Sequence, residues 1–181
     1  MNRDEAWTLL GQHLKNQNLL KHSLAVEACM RVLAGRFGED PEKWGVAGLV
    51  HDLDYEYTVG TPEMHTLKTV QMLEPLGIDA DVLHAIQAHN LRVEPNSKMD
   101  IALYSVDPAT GFIIACALMH PEKKLKALDL GFMKKRFKEK SFAKGASREQ
   151  MGECAKLGLT LDEFLELTLD AMRGIDSVLG L

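Results

Sequence analysis

Apolar residues recur at steps of three and four along most of the chain, and no segment alternates with the two-residue period of a half-buried strand. The clearest example follows Asn18, a residue type that favours the N-cap of a helix. Its apolar face contains Leu19, His22, Val26, Cys29, Leu33 and Phe37, and Gly38 suits the C-terminal end. This pattern predicts an all-α fold, a compact multi-helix bundle.

The same criteria predict further helices along the rest of the chain. Proline suits the first turn of a helix, and the spacings Ser147-x-x-Gln150 and Thr160-x-x-Glu163 are those of a capping box. The expected helices span about 4–16, 41–53, 61–76, 79–90, 97–106, 107–119, 129–140 and 160–178, with one more after Ser147.

The length of 181 residues suits a single domain, 1–181, with a C-terminal helical extension from about 121 to 181. The net charge of −5 argues against a protein that coats nucleic acid. Residues 121–144 nevertheless contain nine Lys/Arg against three Asp/Glu. This basic stretch is typical of a solvent-exposed helix face, but it could also hold a phosphorylated substrate or contact another subunit in a homo-oligomer.

Cys29, Cys116 and Cys154 are far apart and odd in number, so we expect free thiols in a reducing cytoplasm. The N-terminus has no apolar segment typical of a signal peptide. The longest apolar run, 112–119, is shorter than the roughly 20 residues that a membrane-spanning helix needs. We therefore expect a cytoplasmic protein without a membrane partner.

Two adjacent polar residues, His51 and Asp52, stand at the end of the apolar run 44–54. A carboxylate at the edge of a core needs a partner to offset its lost hydration, and a bound cation is one such partner.

Four other residues that can bind metal lie at inward-facing positions of separate predicted helices: His22, His65, His89 and Asp107. Each alone is explained equally well by a buried histidine with one hydrogen bond or, for Asp107, by a helix cap. Together with His51 and Asp52 they favour a metal site between helices. Imidazole and carboxylate ligands suit divalent Mn, Fe, Co, Ni or Zn, and Mg is also compatible with the carboxylates.

The order His22, His51-Asp52, Asp107 resembles the signature of the HD superfamily of metal-dependent phosphohydrolases. The local sequence around these residues also resembles the family, in the segments 22–28, 47–54 and 103–107. The resemblance covers about 18–120, so it implies a metal-binding core there and leaves the extension outside. It implies a nucleotide or another small phosphoester as the substrate class.

Two-metal branches of that superfamily carry two more histidines between the His-Asp pair and the last aspartate, and His65 and His89 lie in this interval. The resemblance thus implies one or two divalent cations per chain, with Asp52 bridging a pair. His84 competes with His89, but it lies about 140° away on an ideal helix, on a less apolar face. Similar branches include hydrolases of dinucleoside tetraphosphates and two-iron oxygenases.

Several nearby residues are candidates for the chemistry itself. Lys68, one helical turn after His65, and Arg92, three residues after His89, could hold phosphate, or they could be exposed charges. Asp54 and Glu56 could orient a water molecule or act as a general acid beside Asp52. We predict a metal-dependent phosphohydrolase; the alternatives are a two-iron oxygenase and a non-catalytic metal- or nucleotide-binding regulatory module.

Overall fold

The computed structural model describes residues 1–181 and contains helices and loops without a β-strand, as the periodicity predicts. The α-helices are α1 (Arg3–His13), α2 (Gln17–Phe37), α3 (Pro41–Val50), α4 (Tyr55–Thr58), α5 (Leu67–Leu73), α6 (Ala80–Ala88), α7 (Lys98–Met119), α8 (Leu130–Phe137), α9 (Arg148–Gly152), α10 (Leu161–Arg173) and α11 (Asp176–Leu179). Short 3₁₀ turns cover Pro62–Met64, Glu74–Leu76, Leu125–Ala127 and Glu153–Leu157.

Polar caps set the ends of the principal helices. Complete capping boxes open α1 at Asn2, α7 at Ser97 and α10 at Thr160, each satisfying two otherwise free backbone N–H groups. Helix α2 begins two residues earlier than expected, because Asn16 rather than Asn18 accepts the first cap hydrogen bond. It ends at Gly38, whose φ of 70° is a conformation that favours glycine.

The two long helices α2 and α7 form the centre of the molecule. Helix α2 packs against α3, α7 and α10, and α7 also packs against α6 and α9. The buried apolar side chains form one contiguous cluster that runs from Ala6 to Leu179 and includes Leu33, Phe112 and Phe164. The C-terminal helices therefore bury their apolar faces in the same core as α2 and α7.

A close approach between α2 and α3 depends on Gly48. A Cβ atom at this position would lie 3.1 Å from the backbone of Val26 and Glu27 and 3.0 Å from the Met30 side chain. Because residue 48 has no side chain, the C-terminal end of α3 lies directly against α2. This contact sets the distance between His22 on α2 and His51, which terminates α3.

The predicted break between two helices at Asp107-Pro108 is wrong, because α7 continues through both residues. An interior proline removes one helical hydrogen bond, but Pro108 is buried and the flanking turns pack in the core. The resulting helix is long and apolar enough to cross a membrane by length and composition alone. Most of that apolar stretch is buried among the other helices, as in the central helix of a bundle.

The predicted helix over about 61–76 is also interrupted. A 3₁₀ turn at Pro62–Met64 ends at His65, and α5 begins only at Leu67. Between them Thr66 has a φ of 69° and is fully buried, an unfavourable conformation for a β-branched residue. The chain therefore changes direction at Thr66, which leaves His65 on a loop instead of a helix.

Candidate metal centre

Four of the predicted ligands meet where α2, α3 and α7 come together. The Nε2 atom of His22 lies 3.1 Å from Asp107 Oδ1 and 3.8 Å from Asp52 Oδ2. The Nε2 atom of His51 lies 3.5 Å from Asp52 Oδ2 and 3.8 Å from Asp107 Oδ1. These atoms form the first group of donors.

A second group adjoins the first through the other oxygen of the same aspartate. The Nε2 atoms of His65 and His89 lie 3.3 Å and 3.4 Å from Asp52 Oδ1. Asp52 thus directs Oδ2 at one pair of histidines and Oδ1 at another. This is the arrangement of a carboxylate that can bridge two cations.

All four imidazoles are oriented by their Nδ1 atoms, which leaves Nε2 to face the cluster. Nδ1 lies 3.1 Å from the Thr110 hydroxyl in His22, 2.8 Å from the Gly48 carbonyl in His51, 2.8 Å from the Asp54 carboxylate in His65, and 2.6 Å from the Ile86 carbonyl in His89. An Nδ1–H that donates to oxygen leaves a lone pair on Nε2, the form of histidine that binds a metal.

The donor set fits a divalent cation. His51 Nε2 is buried and has no hydrogen-bond partner, although an unsatisfied buried nitrogen is unfavourable. Two ligands that are each about 2.1 Å from one cation lie roughly 3 to 3.5 Å apart, which is close to the spacings within both groups. By these distances, the residues that would hold the first cation are His22, His51, Asp52 and Asp107, and those for a second are Asp52, His65 and His89.

The electrostatics of the cluster favour charge on both partners. Burial alone would lower the pKa of His51, but Asp52 and Asp107 outweigh it and raise that pKa to about 9. Burial opposes protonation of His65 as well, yet Asp52 and Asp54 raise its pKa to about 10. Protons therefore bind between these side chains at the positions where a cation would otherwise bind.

The pKa values of the carboxylates shift in the opposite direction, downwards. Burial alone would raise the pKa of Asp52, but His51, His65 and His89 hold it well below its ordinary value. Burial would likewise raise the pKa of Asp107, and His22 and His51 keep it low. Both carboxylates are thus ionised at neutral pH, as metal ligands must be.

The loop that carries His65 is held in place by two side chains that follow α6. The Asn90 amide donates to the His65 carbonyl at 3.3 Å, and the Thr66 hydroxyl donates to the Asn90 side chain at 3.4 Å. Arg92 donates to the carbonyls of His65 and Pro62 at 3.4 and 3.5 Å. Residues just after α6 therefore fix the position of a ligand on a separate loop.

Asp54 and Glu56, the candidates for orienting a water molecule or acting as a general acid, both have protein partners in the structure. Asp54 is fully buried; Oδ1 accepts from His65, and Oδ2 accepts from the Thr69 backbone N–H at 3.1 Å. Glu56 is exposed, and its carboxylate accepts from the backbone N–H groups of Lys15 and Asn16. Asp54 is a positioning residue for His65, while Glu56 holds the loop between α1 and α2.

The two predicted phosphate ligands differ in their surroundings. Lys68 is half-buried, in the first turn of α5 after His65, and its ammonium group has no carboxylate partner. Arg92 is exposed and uses its guanidinium on backbone carbonyls, so its contacts are those of a brace for the His65 loop. Lys68, three residues after His65, is therefore a cation whose charge is not neutralised by a carboxylate.

His84 lies outside the cluster. Its Nδ1 atom is 3.0 Å from Oδ2 of Asp100, a buried aspartate that also caps α7. His89, on the opposite side of α6, faces Asp52. The structure thus brings together His22, His51, Asp52, His65, His89 and Asp107, and it leaves His84 and Glu56 elsewhere.

Thr110 is part of the site although its position in the sequence did not predict this. Its hydroxyl donates to the Asp107 carbonyl at 2.9 Å, which leaves its oxygen to accept from His22 Nδ1–H. One side chain thereby links ligands on α2 and α7. The available signal was a buried hydroxyl residue three positions after Asp107 inside an apolar run.

Comparisons with known proteins agree with this geometry. A family model described as HD domain matches residues 19–126, a range that contains all six clustered ligands. Proteins named Ribonuclease Y are similar to about half of the chain. Those from Oleidesulfovibrio alaskensis and Nitratidesulfovibrio vulgaris are 28% and 30% identical over 96 residues, 53% of this chain and 18% of each relative.

The Ribonuclease Y of Pelobacter propionicus is 28% identical over 95 residues, 52% of this chain and 18% of that protein. The chain therefore spans less than a fifth of the length of these curated relatives. No solved structure is significantly similar to it. The family match ends at residue 126, and the segment from 127 to 181 lies beyond it.

Proposed function

This chain belongs to the HD domain family, and on that basis we propose that it hydrolyses a small phosphoester, with a nucleotide as the substrate class. The observation that carries the proposal is the position of Asp52 between two groups of histidines. Divalent cations bound there would supply a water molecule of lowered pKa as the nucleophile and neutralise charge on the phosphate.

The chain's own residues would perform the remaining tasks. Hydrogen bonds to Nδ1 keep the four imidazoles in the metal-binding tautomer, so no side chain has to rotate when a cation or substrate arrives. Lys68 offers a positive charge beside His65 for a phosphate oxygen. Because His51 and His89 are buried, bulk water has little access to the inner side of the cluster.

The relatives' name denotes a ribonuclease, so an RNA phosphodiester is an alternative to a small phosphoester. The net charge of −5 supports the smaller substrate, since a nucleic-acid surface is usually basic. A six-donor cluster also suits a pair of iron ions, so oxygen chemistry has to be tested alongside hydrolysis.

The test combines metal analysis with a substrate panel on the purified protein. Elemental analysis would give the metal and its ratio to the chain. The panel would contain 5′-nucleotides, dinucleoside polyphosphates, bis(p-nitrophenyl) phosphate and a short oligoribonucleotide, with oxygen consumption measured in parallel.

We expect metal-dependent release of phosphate from a nucleotide, lost in His51→Ala and Asp52→Ala and kept in the matched control His84→Ala. Cleavage of the oligoribonucleotide alone would redirect the proposal to RNA. Oxygen consumption without hydrolysis, or a protein that binds no metal, would overturn it.

A further inference from the structure

A cleft of about 420 Å³ opens directly on the first group of ligands. His22 and Asp107 lie at one end of it, and Gln150 lies on its wall. The rest of the lining consists mainly of residues with little or no side chain, namely Pro108, Gly111, Ala115, Ala143, Gly145 and Ala146. The volume lies within the range of roughly 300 to 1,000 Å³ typical of small-molecule sites.

One wall of the cleft is a face of α7. Asp107, Gly111 and Ala115 follow one another at steps of four, so they share one side of the helix. A Cβ atom at Gly111 would have nothing within 4 Å, and the backbone there is helical. A glycine inside a helix is about 1 kcal/mol less favourable than alanine. Helix packing therefore does not require this glycine, and its lack of a side chain leaves the space beyond Asp107 open.

The opposite wall belongs to residues 143–150, beyond the range of the family match. Arg148 holds this wall in shape. Its guanidinium donates to the carbonyls of Phe142, Ala146 and Ala143 at 2.7, 2.8 and 3.0 Å. It also stacks over the rings of Phe112 and Phe137, at 4.8 and 5.4 Å from their centroids. The arginine has no acidic partner, and its two longer hydrogen bonds, of 3.4 and 3.5 Å, go to the carbonyls of Phe137 and Arg136 at the end of α8.

Gln150 presents a polar group to this otherwise small and apolar cleft. It occupies the position of a capping box from which a glutamine side chain usually returns to the N-cap backbone. Only half of that box forms here: Ser147 accepts from the Gln150 backbone N–H at 3.2 Å, without the return bond. Gln150 instead lines the cleft, and its side chain also forms a hydrogen bond with Tyr104. A carboxamide has two N–H donors and a carbonyl acceptor, so it retains a donor and an acceptor for a ligand.

These observations select among the organic groups that a phosphoester can carry. A sugar alone would bury several hydroxyls, and each would need a partner that glycine and alanine side chains do not supply. A flat ring with one polar edge needs apolar walls and a single donor–acceptor pair. Glutamine makes such a pair with an adenine base edge.

We propose that this cleft receives the nucleoside part of a nucleotide whose phosphate lies at the His22–Asp107 end. Gly111 and Gln150 are then residues that determine specificity, and the C-terminal extension forms half of the substrate site. The inference rests on the proposed function, since the phosphate is placed by the metal ligands.

The test measures binding to the Mn²⁺-loaded protein by calorimetry. The probes are inorganic phosphate and the phosphonate analogue of AMP, in which a CH₂ group replaces the bridging ester oxygen and prevents hydrolysis. The variants are Gly111→Leu, which fills the cleft, and Gln150→Leu, which removes the amide. Gly11→Leu is the matched control, because Gly11 is also a helical glycine with nothing within 4 Å of its Cβ position, on α1.

We expect the wild type to bind the AMP analogue more tightly than phosphate. Gly111→Leu and Gln150→Leu should each lower the affinity for the AMP analogue by about tenfold or more, the scale at which pocket contacts discriminate substrates. Metal content and phosphate affinity should stay within about twofold in both variants, and Gly11→Leu should match the wild type throughout.

Two results would count against the inference, and they are distinguishable. In the first, the protein binds Mn²⁺ and phosphate, but it binds the AMP analogue no more tightly than phosphate, or its affinity for the analogue is the same in Gly111→Leu. The cleft is then not a nucleoside site, and the phosphohydrolase proposal stands. If the wild type binds neither Mn²⁺ nor phosphate, the proposed function fails and the inference fails with it.

Discussion

The carboxylate of Asp54 accepts a hydrogen bond of 2.8 Å from Nδ1 of His65, while Nε2 of the same ring faces Asp52 at 3.3 Å. A buried carboxylate behind a histidine fixes the ring and raises its basicity as a ligand. Asp54 is itself held by a reciprocal pair of hydrogen bonds with Thr69, each 3.1 Å long. The position of one ligand therefore depends on a residue two positions after Asp52.

Asp54→Asn should weaken the second metal site. An amide at this position presents an N–H group either to His65 Nδ1–H or to the Thr69 N–H, and both are donors. We expect metal affinity at that site to fall by about 10- to 100-fold, the usual effect of losing such a partner. Manganese titration with elemental analysis would measure it, and circular dichroism would check that helical content is kept. Unchanged affinity at both sites would contradict this role for Asp54.

His89→Ala and His84→Ala should separate the two histidines of α6. His89 faces Asp52 and is buried, whereas His84 pairs with Asp100. We expect His89→Ala, like His65→Ala, to lower the metal content from two towards one per chain and His84→Ala to leave it unchanged. Elemental analysis of the purified variants would measure the metal content per chain. The reverse pattern would show that the wrong histidine has been assigned.

The metal-free protein should lose stability in alkaline solution. The pKa values of His51 and His65 are raised from 6.5 to about 9 and about 10. Their ion pairs therefore stabilise the fold fully below pH 6.5, and this contribution is lost as the pH rises through those folded-state values. The lowered pKa values of Asp52 and Asp107 act at the other end, since their contribution is lost as the pH falls below 3.8.

Thermal unfolding of the chelator-treated protein would measure this effect. We expect the Tm to be highest between about pH 5 and 6.5 and to fall on approaching about pH 10. With manganese bound, the imidazoles are already deprotonated, so the alkaline fall should be much smaller. An equal fall with and without metal would exclude these histidines as its cause.

Arg148→Lys should loosen the loop before α9 although it keeps the positive charge. A lysine ammonium has neither the planar fork nor the stacking surface that bonds the carbonyls of residues 142–146 between two phenylalanine rings. We expect a loss of about 2 to 4 kcal/mol in the free energy of unfolding. Trypsin should also cut faster after the exposed Lys144. Arg36→Lys, at an exposed arginine of α2, is the control; equal behaviour of the two variants would refute the role of Arg148.

Gly48→Ala should destabilise the protein and disturb the metal centre together. The added methyl group would meet backbone atoms of α2 at 3.1 Å, and backbone moves less easily than the end of a side chain. We expect a loss of about 1 to 3 kcal/mol, as for other overpacked contacts. The Gly48 carbonyl also accepts from His51, so metal affinity should fall as well. Gly35→Ala, at an open helical position on α2, should be neutral or stabilising in the same denaturation assay.

Helical periodicity was sufficient to predict the fold class and to select the inward-facing histidines of α2 and α6. A side chain on an apolar face must point to the core, and this holds for His22 and His89 whatever the tertiary arrangement. The choice of His89 over His84 followed from the same geometry. The identity of the bound metal stays a prediction, because imidazole with carboxylate tolerates several.

The errors arose where local signals compete with packing. The sequence Asp107-Pro108 has the features of a helix start, but burial of both flanking turns keeps α7 continuous. The break at Thr66 is not marked by a glycine or proline in the sequence. The loop is instead held by Asn90 and Arg92, which come from a distant part of the chain. The contact between Asp54 and His65 was not predicted for the same reason, because it is determined only by the tertiary fold.

The shared position of Asp52 has a consequence for how the site fills. The carboxylates of Asp52, Asp54 and Asp107 carry less negative charge than a pair of divalent cations carries positive charge, so the first ion disfavours the second. An incoming phosphate dianion removes that repulsion. The second ion and the phosphate should therefore each raise the affinity for the other by the same factor, as linkage requires. At a metal concentration too low to fill both sites, substrate would therefore raise the occupancy of the second site.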